Sequence, residues 1–363
     1  MPNYPKVAII YLSYHCEPFL ERALLAWKKL DYPKEQLAIV VIDNSHPNYG
    51  SSMDFINKIL SVEVKNDLPQ IVFFPQESNL GFSGGHNVGI QWAIDNNFDY
   101  VYFHNLDGFL APDAITKMVE VMEVDKNIGA AQSLIRLYPQ QNLINTSGNK
   151  FHYLGFGYCG DYRKKVDEVS LVPAEIGYAS GAAMMARVEL FRQVGFLDTD
   201  FFAYHEDLEF SLRFKALGYK IILAPQSVFY HEYEFGRNAN KFYLMERNRL
   251  GLMLMYFQWR TLLLFLPVEL GVSLVMFFVS IKDGWIKSWI RSRVYWLNLV
   301  HWKNWLAKRA YIQKIKKVTD RELVSAAVGT IEFDGAGMDG KLIKWGNRVV
   351  NGYWQIVKKV IVW

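Results

Sequence analysis

The chain has 363 residues, more than the roughly 100–200 usual for one domain, which predicts one large domain with an appendage or two domains. Cys16 and Cys159 lie far apart and form no CxxC pair, excluding a disulfide framework or a cysteine zinc site and fitting a reducing compartment. The net charge of +4 conceals a polarity: residues 282–318 carry ten Lys or Arg against Asp283 alone, residues 341–363 add five cations and no acid, and the remainder sums to −10. A basic tail on an acidic body points to anionic lipid before nucleic acid.

Met1 to Lys6 lacks the basic region, apolar stretch and cleavage site of a signal peptide, so the N-terminal part is expected in the cytoplasm. Lys6 to Leu12 then reads as a strand, and Phe19, Leu20, Ala23, Leu24 and Trp27 recur at helical spacing. A second strand, Leu37 to Ile42, ends at Asp43-Asn44-Ser45. Ile71 to Phe74 is a third, followed by a glycine-rich turn and a helix from about Gly84 to Asn96. Tyr100 to Phe103 is a fourth, ending at Asn105-Leu106-Asp107. Strands alternating with helices predict a layered α/β domain with a mostly parallel sheet, and the polar clusters fall just after strands, where such sheets bind ligands.

From Ile128 to Glu175 the pattern is irregular and is expected to form a loop or ribbon over a site. A helix through Val188 to Val194, an acidic segment Tyr204 to Glu209 opening another helix, and a last strand Lys220 to Leu223 follow. Beyond Lys241 the character changes. Leu250 to Trp259 and Thr261 to Ile281 are almost continuously apolar, and the second run is about the ~20 residues that cross a bilayer. Pro267 and Glu269 interrupt it, which leaves a helix lying in the interface or a re-entrant pair as alternatives at least equal to a crossing. Trp285, Trp289, Trp296, Trp302 and Trp305 alternate with Lys and Arg, a headgroup-level pattern that favours membrane contact over ordinary helix packing.

Five groups carry chemistry. Asp43 is placed to accept from a nucleobase or ribose, or to make an Asx turn or cap. The segment Asn79 to Asn87, with Gly81, Gly84 and Gly85, opens a helix whose N–H groups can approach a diphosphate or sugar. Its spacing is not G-x-G-x-x-G, and Asp99 precedes its strand rather than ending it as a ribose-holding acid would, which disfavours hydride transfer. Asp107 suits Mg2+ or Mn2+ bridging phosphates, or a helix cap. In His205-Glu206-Asp207-Leu208-Glu209 one acid can face a cleft while its neighbour anchors the helix. His231, after the last strand, is a nitrogen ligand or a structural histidine.

In this order, Val7 to Tyr14, Val41 to Ser45, Asn79 to Asn87, Asn105 to Asp107, Ser180-Gly181-Ala182, Gly195 to Asp198, Glu206-Asp207 and Glu246-Arg247-Asn248-Arg249 resemble the inverting family 2 glycosyltransferases of the GT-A fold, in particular their rhamnosyltransferase-like branch. The resemblance implies a GT-A (Rossmann-like) α/β domain over residues 1–245 and a helical, membrane-associating region over 246–363. It implies Asp207 as catalytic base and a divalent metal, Mn2+ or Mg2+, on Asp107 and His231. The nucleotide-sugar donor would meet Ser13, Asp43, Asn44, Gly81, Gly84, Gly85, Asn87, Asn105 and Asp107, and Glu206, Gly181 and Arg247 would position the acceptor. Asn105 departs from the D-x-D pattern. The processive Q-x-x-R-W motif is unmatched, so one sugar is expected to move to a glycan or lipid-linked acceptor at the cytoplasmic face of the membrane, peripherally or monotopically. A non-catalytic nucleotide-sugar or glycan-binding protein on the same fold is the alternative, and nucleic acid is not an expected partner.

Overall fold

The computed structural model describes residues 4–62, 68–233, 238–331 and 340–363. The chain divides into two compact units, one of Met1–Asn149, Cys159–Phe214 and Tyr219–Glu234, the other of Lys150–Tyr158, Lys215–Gly218 and Phe235–Trp363. The boundary expected at 245/246 falls inside the helix Ala239–Tyr256, which belongs to the second unit.

The first unit runs β1 (Val7–Ser13), α1 (Leu20–Lys28), β2 (Leu37–Asn44), α2 (Met53–Val62), β3 (Gln70–Gln76), α3 (Gly81–Asp95), β4 (Tyr100–His104), β5 (Gly108–Leu110), α4 (Ala114–Val124), β6 (Ile128–Leu137) and β7 (Ile144–Thr146). After β8 (Lys150–Phe151) and β9 (Gly157–Tyr158), which belong to the second unit, come β10 (Ala174–Glu175), β11 (Ala183–Arg187), α5 (Phe191–Val194), α6 (Glu206–Ala216) and β12 (Lys220–His231). The sheet order is β10-β12-β6-β11-β4-β1-β2-β3, with β5 on β12 and β7 on β6. Strands β3, β2, β1 and β4 are parallel, and β11 runs antiparallel between β4 and β6. Every residue of β1, β2 and β4 is buried, because helices cover both sheet faces; that is why these strands read as unbroken apolar runs rather than alternating ones.

Two segments depart from expectation. Residues 128–137, expected to be irregular, form the ten-residue strand β6. Its buried polar side chains are satisfied by neighbours: Ser133 Oγ bonds Tyr102 and Ser227 hydroxyls at 2.8 Å, and Gln132 Oε1 accepts from Ser180 N at 2.9 Å. The last strand continues past Leu223 to His231, since a register shift between Ala224 and Val228 accommodates Pro225. His231 therefore stands on the sheet rather than after it.

The second unit holds the β8–β9 hairpin and helices α7 (Ala239–Tyr256), α8 (Trp259–Lys282), α9 (Ile286–Tyr295), α10 (Leu299–Ile315), α11 (Asp320–Val324) and α12 (Gly340–Val360). At its centre Arg249, 1% exposed, forks onto Glu246 and Glu269 and donates to Leu154 O. Arg309, Gln313 and Lys316 donate to the carbonyls of Leu254 to Phe257, satisfying the free C-terminal end of α7. Much of the tail's basic and aromatic content is thus spent internally. None of the five tryptophans from Trp285 to Trp305 is exposed, and Trp305 is fully buried against Gly251. The exposed tryptophans of this unit are Trp259 and Trp345. Helix α8 alone among the described residues is long and apolar enough to cross a membrane, and 17% of its most apolar window is buried.

Candidate active site

Parallel pairing aligns Ser13 with Asp43, so the loops after β1 and β2 leave one sheet edge together. Asp43 is 1% exposed. Its carboxylate accepts from Ser13 Oγ at 3.3 Å, from Ser51 Oγ, and from Ser52 N at 3.2 Å, holding the turn into α2. Asn44 accepts from Leu80 N at 2.7 Å and donates to Asn79 Oδ1 and Gly81 O, clamping the β3–α3 turn onto β2. Both side chains are thus held by partners within the protein's own turns. Beside them His15 stacks on the exposed Tyr49 at 4.0 Å and 14°, with Tyr14 and His46 adjoining, a ring cluster that no sequence pattern singled out.

The start of α3 differs from an open anion site. Phe82 N and Ser83 N donate to Phe202 O at 2.7 and 3.3 Å, and Gly81 N to Asn79 Oδ1 at 2.8 Å, so N–H groups expected to face a diphosphate are taken by the protein itself. The glycines are required by packing: Gly81 has φ +69° with Phe202 O 2.5 Å from where a Cβ would stand, and a Cβ on Gly85 would meet Leu12 at 2.3 Å. Gly84 likewise leaves room for Leu80. Asn87 is fully engaged by Leu197, donating to its O at 2.8 Å and accepting from its N at 2.9 Å. Gly81, Gly84, Gly85 and Asn87, which the resemblance assigns to the donor, fix the loop's shape.

At the end of β4 the geometry converges. Asn105 Nδ2 donates to Asp107 Oδ1 at 2.6 Å, and His231 Nε2 lies 2.8 Å from the same oxygen and 3.2 Å from Asn105 Nδ2. The other ring nitrogen of His231 meets Asn145 Oδ1 at 2.9 Å. A 2.8 Å approach of Nε2 to a carboxylate oxygen requires a hydrogen or a cation between the two, so this is a place where a metal ion can take the hydrogen's position. His104, directly behind, is fully buried, and burial lowers its pKa to about 4, keeping it neutral. Asn145 on β7 was missed in the sequence; a lone amide flanked by buried Ile144 and Thr146 was the only available signal.

Asp207 opens α6 after a strained approach: Phe202, Tyr204 and His205 have φ of 61°, 68° and 69°, sparsely populated for non-glycine residues and typical of functional sites. Its carboxylate accepts from Leu208 N at 2.8 Å and Gly181 N at 3.2 Å, while burial raises its pKa. Glu206 is also buried and lifted well above the ordinary range, first by desolvation and then by the charge of Asp207. Among the described residues nothing donates to Glu206 Oε2. Glu209, the third acid, is bound by Arg213 and serves the helix.

The two carboxylate sites are tied to adjacent residues. Gly181 N holds Asp207, and the next carbonyl, Ala182 O, accepts from Asn105 N at 3.0 Å. A Cβ on Gly181 would meet Phe82 at 2.8 Å. Arg247 lies in the second unit, where its guanidinium bonds Asn248 Oδ1 and covers the rings of Tyr243 and Tyr295.

A mostly parallel sheet with an antiparallel insertion, carrying acidic loops at the strand ends, defines a GT-A glycosyltransferase fold. The chain belongs to the glycosyl transferase family group 2, whose family model matches residues 100–308. It is 24% identical over 230 residues to the probable glycosyltransferase YdaM of Bacillus subtilis (strain 168), covering 63% of this chain and 51% of that one. It is 27% identical over 146 residues to the low-salt glycan biosynthesis hexosyltransferase Agl10 of Haloferax volcanii, covering 39% of this chain and 46% of the relative. The chain thus spans about half the length of these curated relatives. Its fold resembles the crystal structure of GalNAc-T7 with UDP, GalNAc and Mn2+, with a TM-score of 0.57 and 15% identity over 71% of this chain and 49% of that one.

Proposed function

We propose that the protein moves a single sugar from a nucleotide-sugar donor to a hydroxyl of a glycan or lipid-linked acceptor, inverting the anomeric carbon. The observation that carries this reading is the joining of two carboxylate sites through Gly181 and Ala182. Single displacement needs a proton acceptor on one side of the anomeric carbon and charge stabilisation on the other. Asp207 is the base: its backbone donors aim the carboxylate, and its raised pKa brings its proton affinity closer to working pH. Asp107 and His231 Nε2 would hold Mn2+ or Mg2+. Among the described residues no group of three potential ligands gathers, which fits a cation that takes its remaining ligands from water and phosphate oxygens. Such a cation supplies positive charge to the departing nucleoside diphosphate.

The exposed ring of Tyr49 on His15 offers a planar surface on which a base can stack, next to Ser13 and Asp43. We assign catalysis to the first unit and peripheral membrane contact, at the cytoplasmic face, to the helices that follow. The Asn105-Leu106-Asp107 variant favours the rhamnosyltransferase-like branch, and the Haloferax relative's role in glycan biosynthesis supports an envelope glycan as product. The test is nucleoside diphosphate release from a panel of nucleotide sugars with Mn2+, with and without membrane lipid extract. Asp207→Asn is expected to lower acceptor-dependent release by about 100- to 10,000-fold with donor binding retained. Normal transfer by that variant would remove Asp207 as the base.

A further inference from the structure

Helix α8 has two unlike faces. Leu263, Leu266, Leu270, Leu274, Phe278 and Ile281 are 46–68% exposed. Steps of three, four and seven place them in one stripe, about 27 Å long at ~1.5 Å per residue. Between Arg260 and Lys282 the only charged residue is Glu269, and it is on the other side. There Glu269 receives both arms of Arg249, at 2.7 and 2.9 Å, Thr261 donates to Asp320, and Phe265 packs on Tyr153 and Trp354.

That inner face settles how the helix can meet lipid. If α8 crossed a bilayer, it would either carry Arg249 and Glu246 of α7 toward the hydrocarbon or part from them, leaving an unpaired buried charge at a cost of several kcal/mol. A helix lying along the interface keeps every inner contact and immerses only the stripe.

Helix α12 repeats the pattern. Trp345, Val349, Ile356 and Val360 are 47–66% exposed on one stripe, Trp354, Val357 and Ile361 face inward, and the exposed Lys344, Arg348 and Lys359 flank the stripe. It touches α8 through Tyr353, whose hydroxyl donates to Leu264 O at 2.6 Å. Lys or Arg occurs on each of α8, α9, α10 and α12, and the single acid in all four is the inward-paired Glu269.

We infer that the outward stripes of α8 and α12 insert in the plane of an anionic lipid bilayer, with α8 lying along the interface and the Arg249–Glu269 pair holding it there. This deepens the membrane contact proposed above and is independent of the identity of the catalytic base.

The test uses the full chain with Cys16→Ala and Cys159→Ser, and single nitroxide-labelled cysteines at positions 263, 270, 274 and 281. Vesicles are phosphatidylcholine with or without phosphatidylglycerol. Binding is expected to be about tenfold tighter or more to the anionic vesicles. All four labels should sit at one shallow depth of about 5–10 Å by oxygen and nickel-chelate accessibility. A depth that peaks near 270 and falls toward both ends would mean a crossing helix and overturn the inference. So would equal binding to neutral and anionic vesicles, or labels immersed in neither vesicle but buried between two copies of the chain. In the chain with native cysteines, Leu270→Glu with Leu274→Glu should abolish vesicle co-sedimentation while leaving circular dichroism and acceptor-dependent transfer to a soluble acceptor unchanged. Retained co-sedimentation by that variant also counts against the inference, whereas loss of transfer by Asp207→Asn bears on the catalytic reading alone.

Discussion

As the proposed base, Asp207 must be basic enough to take a hydroxyl proton and yet stay ionised in a buried place, and two backbone N–H groups reconcile these demands. Its raised pKa means that the acid limb of the rate profile should lie above an ordinary aspartate's, because activity falls as pH drops through that raised value. The same shift acts oppositely on stability. Both Glu206 and Asp207 hold protons more tightly in the folded state, so their contribution is full below the unfolded values and is lost as pH rises through the folded ones. Asp207→Asn is therefore expected to melt higher than the wild type at pH 8, the gap closing toward pH 4; thermal unfolding at the two pH values checks it. Asn145 acts on the other site through His231. Asn145→Leu should weaken Mn2+ binding by about 10–100-fold, read as a raised half-saturating Mn2+ concentration with a smaller effect on the rate at saturation. The acids were legible in the sequence because each follows a strand or opens a helix. Asn145 was not, since its meaning comes only from a partner 86 residues away.

At the scale of elements, β1, β2 and β4 were legible because burial on both faces leaves an unbroken apolar run. β6 escaped because Gly129, Gln132 and Ser133 look like loop residues until Tyr102, Ser180 and Ser227 are seen to satisfy them. The glycine turn was legible as a motif but not in purpose. Its closest neighbour is the carbonyl of Phe202, which closes the N-terminus of α3 just before the segment that presents Asp207. Gly81→Ala combines a left-handed backbone with a contact of 2.5 Å to that carbonyl and should cost about 1–3 kcal/mol, measured as a lower urea midpoint with unchanged slope. The bonds of Asn44 to Asn79 Oδ1 and Leu80 N should leave the fold itself intact.

Across the whole molecule, the sequence read Glu269 as an obstacle in an apolar helix, whereas the structure supplies its partner from α7. Removing only the arginine leaves a buried carboxylate uncompensated, so Arg249→Met is expected to lose about 3–5 kcal/mol, and adding Glu269→Leu to recover most of it. Equilibrium unfolding of the single and double variants measures the difference, with Glu246 still bound to Arg293 in both. The caps on α7 have a further consequence, visible in ionic strength. Lys316, besides donating to Tyr256 O, is paired with the buried Asp320, so its charge is offset inside the fold and adds little to long-range attraction. Exposed cations such as Lys359 are the ones that counterions screen. Lys316→Met with Asp320→Asn, which leaves the net charge unchanged, should therefore lower the melting temperature without changing how steeply vesicle binding falls with salt, and Lys359→Ala should do the reverse. The formal charge of the tail overstates the charge that a distant surface can feel.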